Sequence, residues 1–183
     1  MKHCILEDSS FLVATIDPTD LFHRYAVLIF KKIIENKKEV KVVIPTLVFY
    51  ETIITLVKRG GIPKATIEKK LWDFLFSDLV LNVALIETSA FRVCKKLSTS
   101  DISTLKTQDF IIANVGMEYE ASILTFDKRM RTRVGSVYPD IYYCASLGLD
   151  GNSMPGEDET PRFLADFYTK LGKKIETFDD IPF

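Results

Sequence analysis

The chain has 183 residues, 47% of them hydrophobic, which suits one domain with a substantial core and a short tail rather than two ordinary domains. Its formal net charge of -1 argues against a protein that coats nucleic acid through overall positive charge, so a polyanion must be bound locally. The three cysteines, Cys4, Cys94 and Cys144, have neither disulfide-framework nor zinc-type spacing, and no apolar run approaches the ~20 residues of a membrane span. We therefore expect a cytoplasmic protein with no membrane partner.

Apolar, β-branched segments alternate with amphipathic segments along most of the chain. The composition predicts strands at residues 3–7, 40–44, 79–86, 121–126 and 141–144. Turn and capping residues predict helices that begin at Asp20, at Thr46, after Pro63, at Thr88 or Ser89, and at Gln108, with a loop at residues 98–103. Such alternation predicts an α/β domain of three layers, in which helices flank both faces of a central, mostly parallel sheet.

The composition changes near Gly148. Residues 148–160 are rich in Gly, Asp, Pro and Glu, which is typical of a linker, and residues 161–183 begin with an apolar helical stripe. We therefore divide the chain into a domain at 1–147, a linker at 148–160 and a C-terminal helical extension at 161–183. The stripe has two possible partners, its own domain or a second protein surface.

Four acids occupy positions where strands end or helices begin. Asp8 and Asp127 follow the first and fourth predicted strands, and Glu51 and Asp109 lie near the starts of predicted helices. Ligands of open parallel sheets bind beyond the carboxyl ends of the strands, where the strand order reverses. If the first and fourth strands are neighbours, the four carboxylates can converge at that point.

Converging carboxylates favour a cation, because like charges raise one another's pKa unless a positive ion neutralises them. An all-oxygen cluster suits Mg²⁺ or Mn²⁺, and two histidines, His3 and His23, are too few for a zinc triad. Such ions can activate a water molecule that attacks a phosphodiester. Asp8, Glu51, Asp109 and Asp127 are therefore the predicted catalytic and metal-binding residues of a nuclease.

Further side chains near the acids have possible roles. The hydroxyls of Ser10 and Thr125 can orient a metal-bound water or a ligating carboxylate. Glu7 is interpreted as an edge-facing partner in a salt bridge. Basic residues that can hold RNA phosphates, or equally form a solvated surface, are Lys128, Arg129, Arg131 and Arg133 after Asp127, and Lys58 and Arg59 near Gly60.

Four segments in order resemble the motifs of the PIN-domain ribonucleases, which include the VapC-type toxins. They are Asp8 to Ala14, Ile44 to Glu51, Leu105 to Ala113 and Leu124 to Arg129. The resemblance implies a PIN-like fold, divalent-metal endoribonuclease activity, a homodimer and, for a toxin, an antitoxin-type inhibitor protein. The chain departs from the pattern at Glu7, where an apolar residue is more usual.

Two other hypotheses remain open. A receiver-type signalling domain is suggested by the Glu7-Asp8 pair, although the third predicted strand ends in Glu87 and Thr88 rather than in a phosphorylatable aspartate. The other is a catalytically silent PIN-like module that binds RNA or a protein.

Overall fold

A five-stranded sheet in which all strands are parallel forms the centre of the molecule. The computed structural model describes residues 2–83, 97–144 and 159–173. The strand order is β3-β2-β1-β4-β5. The strands are β1 (His3–Glu7), β2 (Val40–Pro45), β3 (Val80–Val83), β4 (Ser122–Thr125) and β5 (Ile141–Tyr143).

Helices flank the sheet and connect its strands, as right-handed crossovers between parallel strands require. The described residues contain α1 (Ser9–Ile16), α2 (His23–Glu35), α3 (Thr46–Arg59), α4 (Lys64–Leu75), α5 (Thr99–Thr104), α6 (Thr107–Tyr119), α7 (Lys128–Gly135) and α8 (Thr160–Lys170). This is the predicted PIN-like α/β architecture, and the prediction is confirmed.

The strands are built from the apolar segments that predicted them. Ile5 and Leu6 of β1 pair with Val42 and Val43 of β2 and are fully buried. All four residues of β4 are buried as well. Because a central parallel strand is covered on both faces, its residues are apolar without alternation, and any polar group there is conspicuous.

The predicted helices do not include α1, α7 or the short helix α5. Five of the eight residues of α1 are buried, so it has no polar face and shows no amphipathic period. The predicted loop at 98–103 is wrong because Ser98 and Asp101 cap α5 reciprocally: Ser98 Oγ accepts from the Asp101 amide at 3.1 Å, and the Asp101 carboxylate accepts from the Ser98 amide at 3.0 Å. The helix predicted from Thr88 or Ser89 lies outside the described residues.

The strand order excludes the receiver hypothesis. A receiver-type sheet has the order 2-1-3-4-5, in which β1 pairs with β3. Here β1 pairs with β2 and β4. The Glu7-Asp8 pair therefore belongs to a different topology.

The C-terminal helix α8 packs on its own domain. Phe163, Leu164 and Phe167 are buried, and the ring of Phe163 lies 5.4 Å from that of Tyr142 in β5. Of the two partners considered for the apolar stripe, this structure has the first. Within the described ranges, no helix is long and apolar enough to cross a membrane.

Candidate active site

The strand order reverses between β1 and β4, and the candidate site lies at that reversal. β1 pairs with β2 on one side and with β4 on the other. The connection that leaves β1 leads to β2, whereas the connection that leaves β4 leads to β5 on the opposite side of the sheet. Asp8 directly follows β1, and its amide donates to the Leu124 carbonyl of β4 at 3.1 Å. Asp127 follows β4 by two residues. The predicted adjacency of the first and fourth strands is confirmed.

Asp8 is a buried carboxylate held by three donors. Its side chain accepts from the Phe11 amide at 2.9 Å, from Ser10 Oγ at 2.8 Å and from Thr125 Oγ1 at 2.8 Å, and the residue is 2% exposed. Burial raises the pKa of Asp8 to about 6, against the lowering effect of these hydrogen bonds. The nearby charge of Asp127 raises that pKa further. A positive ion would relieve this unfavourable environment.

The two hydroxyls singled out in the sequence join the ends of β1 and β4. Ser10 Oγ accepts from the Phe126 amide at 2.8 Å, and Thr125 Oγ1 accepts from the Asp127 amide at 2.9 Å. Each hydroxyl therefore donates to Asp8 and receives a backbone amide from the loop after β4. The orientation of Asp8 is fixed by this bridge.

Asp127 is exposed and caps α7. Its Oδ1 accepts from the amides of Arg129 at 2.8 Å and Met130 at 3.0 Å. Thr125 Oγ1 bonds both to the Asp8 carboxylate and to the Asp127 amide, so the structure brings these two of the four predicted acids close together.

Asp109 is buried against an arginine. It lies in the first turn of α6, where its carboxylate accepts from the Lys106 amide at 3.3 Å. Arg133 of α7 donates to both carboxylate oxygens, from Nε to Oδ2 and from Nη2 to Oδ1, the latter at 3.2 Å. These contacts and the charges of Asp109 and Asp127 raise the pKa of Arg133.

Glu51 is half-buried on α3 and accepts a hydrogen bond from the Gln108 side chain. Gln108 precedes Asp109 on α6, so this contact brings Glu51 close to the helix start that carries Asp109. The sequence analysis gave Gln108 no role, and an isolated glutamine beside a helix cap carries no signal that would have revealed one.

Glu7 corrects one prediction. It is fully buried in the central strand, and among the described residues neither carboxylate oxygen has a hydrogen-bond partner, so the predicted edge-facing salt bridge is wrong. The reason is the position of β1 between two neighbours, which leaves it no edge. Burial, and secondly the charge of Asp8, raises the pKa of Glu7 to about 8.

The donor chemistry of the site fits a hard divalent cation. Carboxylates and hydroxyls surround Asp8, whereas His3 contacts Ser122 Oγ at 3.3 Å and His23 contacts the Ala14 carbonyl at 2.7 Å, so neither imidazole belongs to the site. With the side chains as they stand, no group of three or more acids, histidines or cysteines among the described residues could hold a metal ion. A four-acid site requires Asp109 to leave Arg133 and Glu51 to leave Gln108.

The predicted RNA-contacting residues have different environments. Arg131 pairs with Glu159, and Arg59 pairs with Asp17 and Asp20. Arg133 pairs with Asp109. Lys58 and Arg129 are exposed, and for neither is an ion pair present among the described residues.

The fold and site define a doubly wound α/β domain with carboxylates at its topological switch point. A family model described as PIN domain matches residues 5–134, and the chain belongs to that family. The resemblance inferred from the four sequence motifs is thereby confirmed.

Among solved structures, the chain is similar to the Mycobacterium tuberculosis toxin VapC20, described as cleaving the sarcin-ricin loop. The TM-score is 0.51 at 19% sequence identity, and the match covers 70% of this chain and 93% of that one. At this identity the likeness shows the fold. No curated protein matches the chain in sequence.

Proposed function

We propose that the protein is a divalent-metal-dependent endoribonuclease that hydrolyses RNA phosphodiesters. The observation that carries the proposal is the buried carboxylate of Asp8, which Ser10 and Thr125 orient at the switch point of a PIN-family sheet. Its raised pKa and the nearby charge of Asp127 are what a cation site requires.

Asp8 and Asp127 are the proposed primary ligands of Mg²⁺ or Mn²⁺, and Glu51 and Asp109 complete the set. A bound ion of this kind supplies charge neutralisation at the phosphate and lowers the pKa of water. Ser10 and Thr125 keep Asp8 in one orientation through hydrogen bonds that favour its ionised form. Arg129 and Lys58, exposed and outside the described ion pairs, are the proposed contacts to RNA phosphates.

The test is cleavage of single-stranded RNA with Mg²⁺ or Mn²⁺ and with EDTA. We expect cleavage only with the metal, and its loss in Asp8→Asn and Asp127→Asn proteins that retain the fold. The loss should exceed the ~10–100-fold typical of residues that only orient a metal ligand. Cleavage that persists in EDTA or in both variants would contradict the proposal.

A catalytically silent PIN-like module is the second candidate. The pairing of Asp109 with Arg133 favours it, since a guanidinium on both oxygens of a carboxylate weakens the attraction of that carboxylate for a metal ion. A protein that binds RNA but cleaves it neither with Mg²⁺ nor with Mn²⁺ would be such a silent module.

We further propose that the protein is the toxin of a toxin-antitoxin pair, with an antitoxin-type inhibitor as its partner. Support comes from the similarity in fold to VapC20, which is described as a toxin. Induced expression should arrest growth, and the Asp8→Asn substitution should relieve the arrest. Growth unaffected by the active protein would contradict the toxin role and leave the nuclease activity standing.

We also propose a homodimer formed through the α3/α4 face, which consists of Tyr50, Ile54, Val57, Trp72 and Phe76. The three aromatic residues are 60%, 65% and 68% exposed. An aromatic side chain has an area of ~150–250 Å², and about two thirds of each of the three is exposed. Together with the two half-exposed aliphatic side chains, the face presents roughly 500 Å² of apolar area to solvent. One side of a standard interface buries ~800 Å², of which somewhat over half is apolar, so the face is large enough.

A further inference from the structure

Arg133 is paired with Asp109, one of the proposed metal ligands. Its guanidinium contacts both oxygens of Asp109, and the charge of Asp127 also raises its pKa. The Arg133 side chain is 23% exposed and that of Asp109 is 6% exposed. The pair is therefore only partly open to solvent, and its attraction is weakly screened.

A divalent ion and Arg133 would compete for the oxygens of Asp109. The carboxylate already accepts two bonds from the guanidinium and one from the Lys106 amide, and an ion on the same oxygens would lie within a few ångströms of a fixed positive charge. Two like charges at that distance repel strongly where solvent is partly excluded. Binding of an ion to these oxygens would therefore weaken the hold of the guanidinium on Asp109.

We propose that Arg133 and the divalent ion exchange at Asp109, and that the displaced guanidinium then binds a phosphate of the RNA backbone beside the ion. The inference rests on the proposed nuclease function. The planar guanidinium forms paired bonds with carboxylates and phosphates alike, so one side chain serves both partners. Arg133 thus keeps Asp109 neutralised before the metal binds and positions the substrate afterwards.

The first measurement is calorimetric titration of Mn²⁺ into the RNA-free full chain and its Arg133→Met and Arg129→Met variants. Exchange predicts tighter Mn²⁺ binding to R133M, on the order of tenfold, within the range of typical coupling between two sites. R129M is the matched control, because it removes the same charge from α7 without touching a carboxylate side chain. An affinity of R133M equal to that of R129M, or weaker than that of the wild type, overturns the exchange.

The second measurement is the steady-state kinetics of RNA cleavage at saturating Mn²⁺. R133M should raise KM while it tightens metal binding, and Arg133→Lys should restore part of the lost affinity for RNA. If Arg133 only stabilises the fold, R133M should bind both the metal ion and the RNA more weakly than the wild type. Unchanged KM overturns the phosphate contact.

A third measurement uses the wild-type protein, so it remains possible if R133M does not fold. The Nε–H resonance of Arg133, assigned by its loss in R133K or R133M, should shift when Mg²⁺ saturates the protein. A resonance that does not move overturns the exchange. If calorimetry detects no metal binding to the wild type, the metal-dependent function itself fails, and the inference with it; normal metal binding with an unmoved resonance contradicts the inference alone.

Discussion

Glu7 and Asp8 are adjacent carboxyl groups with opposite environments. Three groups donate hydrogen bonds to Asp8 at the end of β1, whereas no group in the described part of the chain donates to Glu7 inside the same strand. A carboxyl group in an apolar interior without donors is more stable when protonated. Glu7 is thus the side chain whose burial makes folding depend most directly on pH.

Glu7→Gln should remove this pH dependence. The folded pKa of about 8 lies above the ordinary 4.5, so the folded chain binds more protons than the unfolded chain between these values, and stability falls as the pH rises through 8. At pH 8 the free energy of unfolding of E7Q should exceed that of the wild type by about 3 kcal/mol, with near equality at pH 5. Urea unfolding in EDTA measures the difference.

Asp73→Asn, at an exposed acid of α4, serves as the control and should follow the wild type at every pH. Parallel pH curves for E7Q and the wild type would contradict the buried, protonated state of Glu7.

Thr125→Val should impair the site without removing a proposed ligand. It deletes the donor to Asp8 and the acceptor of the Asp127 amide, so the pKa of Asp8 should rise further. We expect a fall of about 10–100-fold in metal-dependent cleavage, with the acidic limb of the pH–rate profile moved to higher pH. Thr132→Val, whose hydroxyl bonds only to the Lys128 carbonyl, is the control. Superimposable profiles for T125V and the wild type would count against the bridge.

Among the helices, α8 is attached to the sheet by a polar contact as well as by its apolar stripe. Glu159 accepts from Arg131 Nε at 2.6 Å and Nη2 at 2.8 Å, and from the Tyr143 amide at 2.8 Å. Hydrogen bonds from the guanidinium and from an amide lower the pKa of Glu159 despite its burial. Arg131 therefore has a structural role that the sequence alone, which suggested RNA contact, did not distinguish.

Arg131→Met should destabilise the protein by about 1–2 kcal/mol, because it removes a two-point ion pair that is largely shielded from solvent. Arg162→Met breaks a contact to the same glutamate from a side chain that is 51% exposed, and should cost under about 0.5 kcal/mol. Urea unfolding of both variants gives the comparison. Equal losses would show that α8 is held by its apolar residues alone.

For the molecule as a whole, alternating segments of the sequence were enough to predict the parallel sheet and the position of Asp8 and Asp127 at its reversal. The predicted helices do not include α1, because five of its eight residues are buried and its sequence shows no amphipathic pattern. Contacts such as Arg133 to Asp109 or Gln108 to Glu51 join side chains far apart in sequence, and no local spacing encodes which rotamer each adopts. The unpaired burial of Glu7 depends on strand order in the same way.

Trp72→Glu should separate the proposed dimer. A charge introduced on the α3/α4 face must be desolvated on association, so we expect monomers at concentrations where the wild type is dimeric. Light scattering coupled to size-exclusion chromatography measures the mass. Leu21→Glu changes an exposed apolar side chain outside this face and should leave the dimer intact. A monomeric wild type, or a dimeric W72E, would exclude this interface.

The hydroxyl bridge between Ser10 and Thr125 has a consequence for synthesis of the protein in the cell. The first aspartate emerges from the ribosome more than a hundred residues before the threonine that orients it. An incomplete nascent chain therefore carries the acid without its aligning partner, and the ends of β1 and β4 can be joined only after the fourth strand has been added. The proposed nuclease activity could therefore not arise before β4 and the loop that follows it have been synthesised.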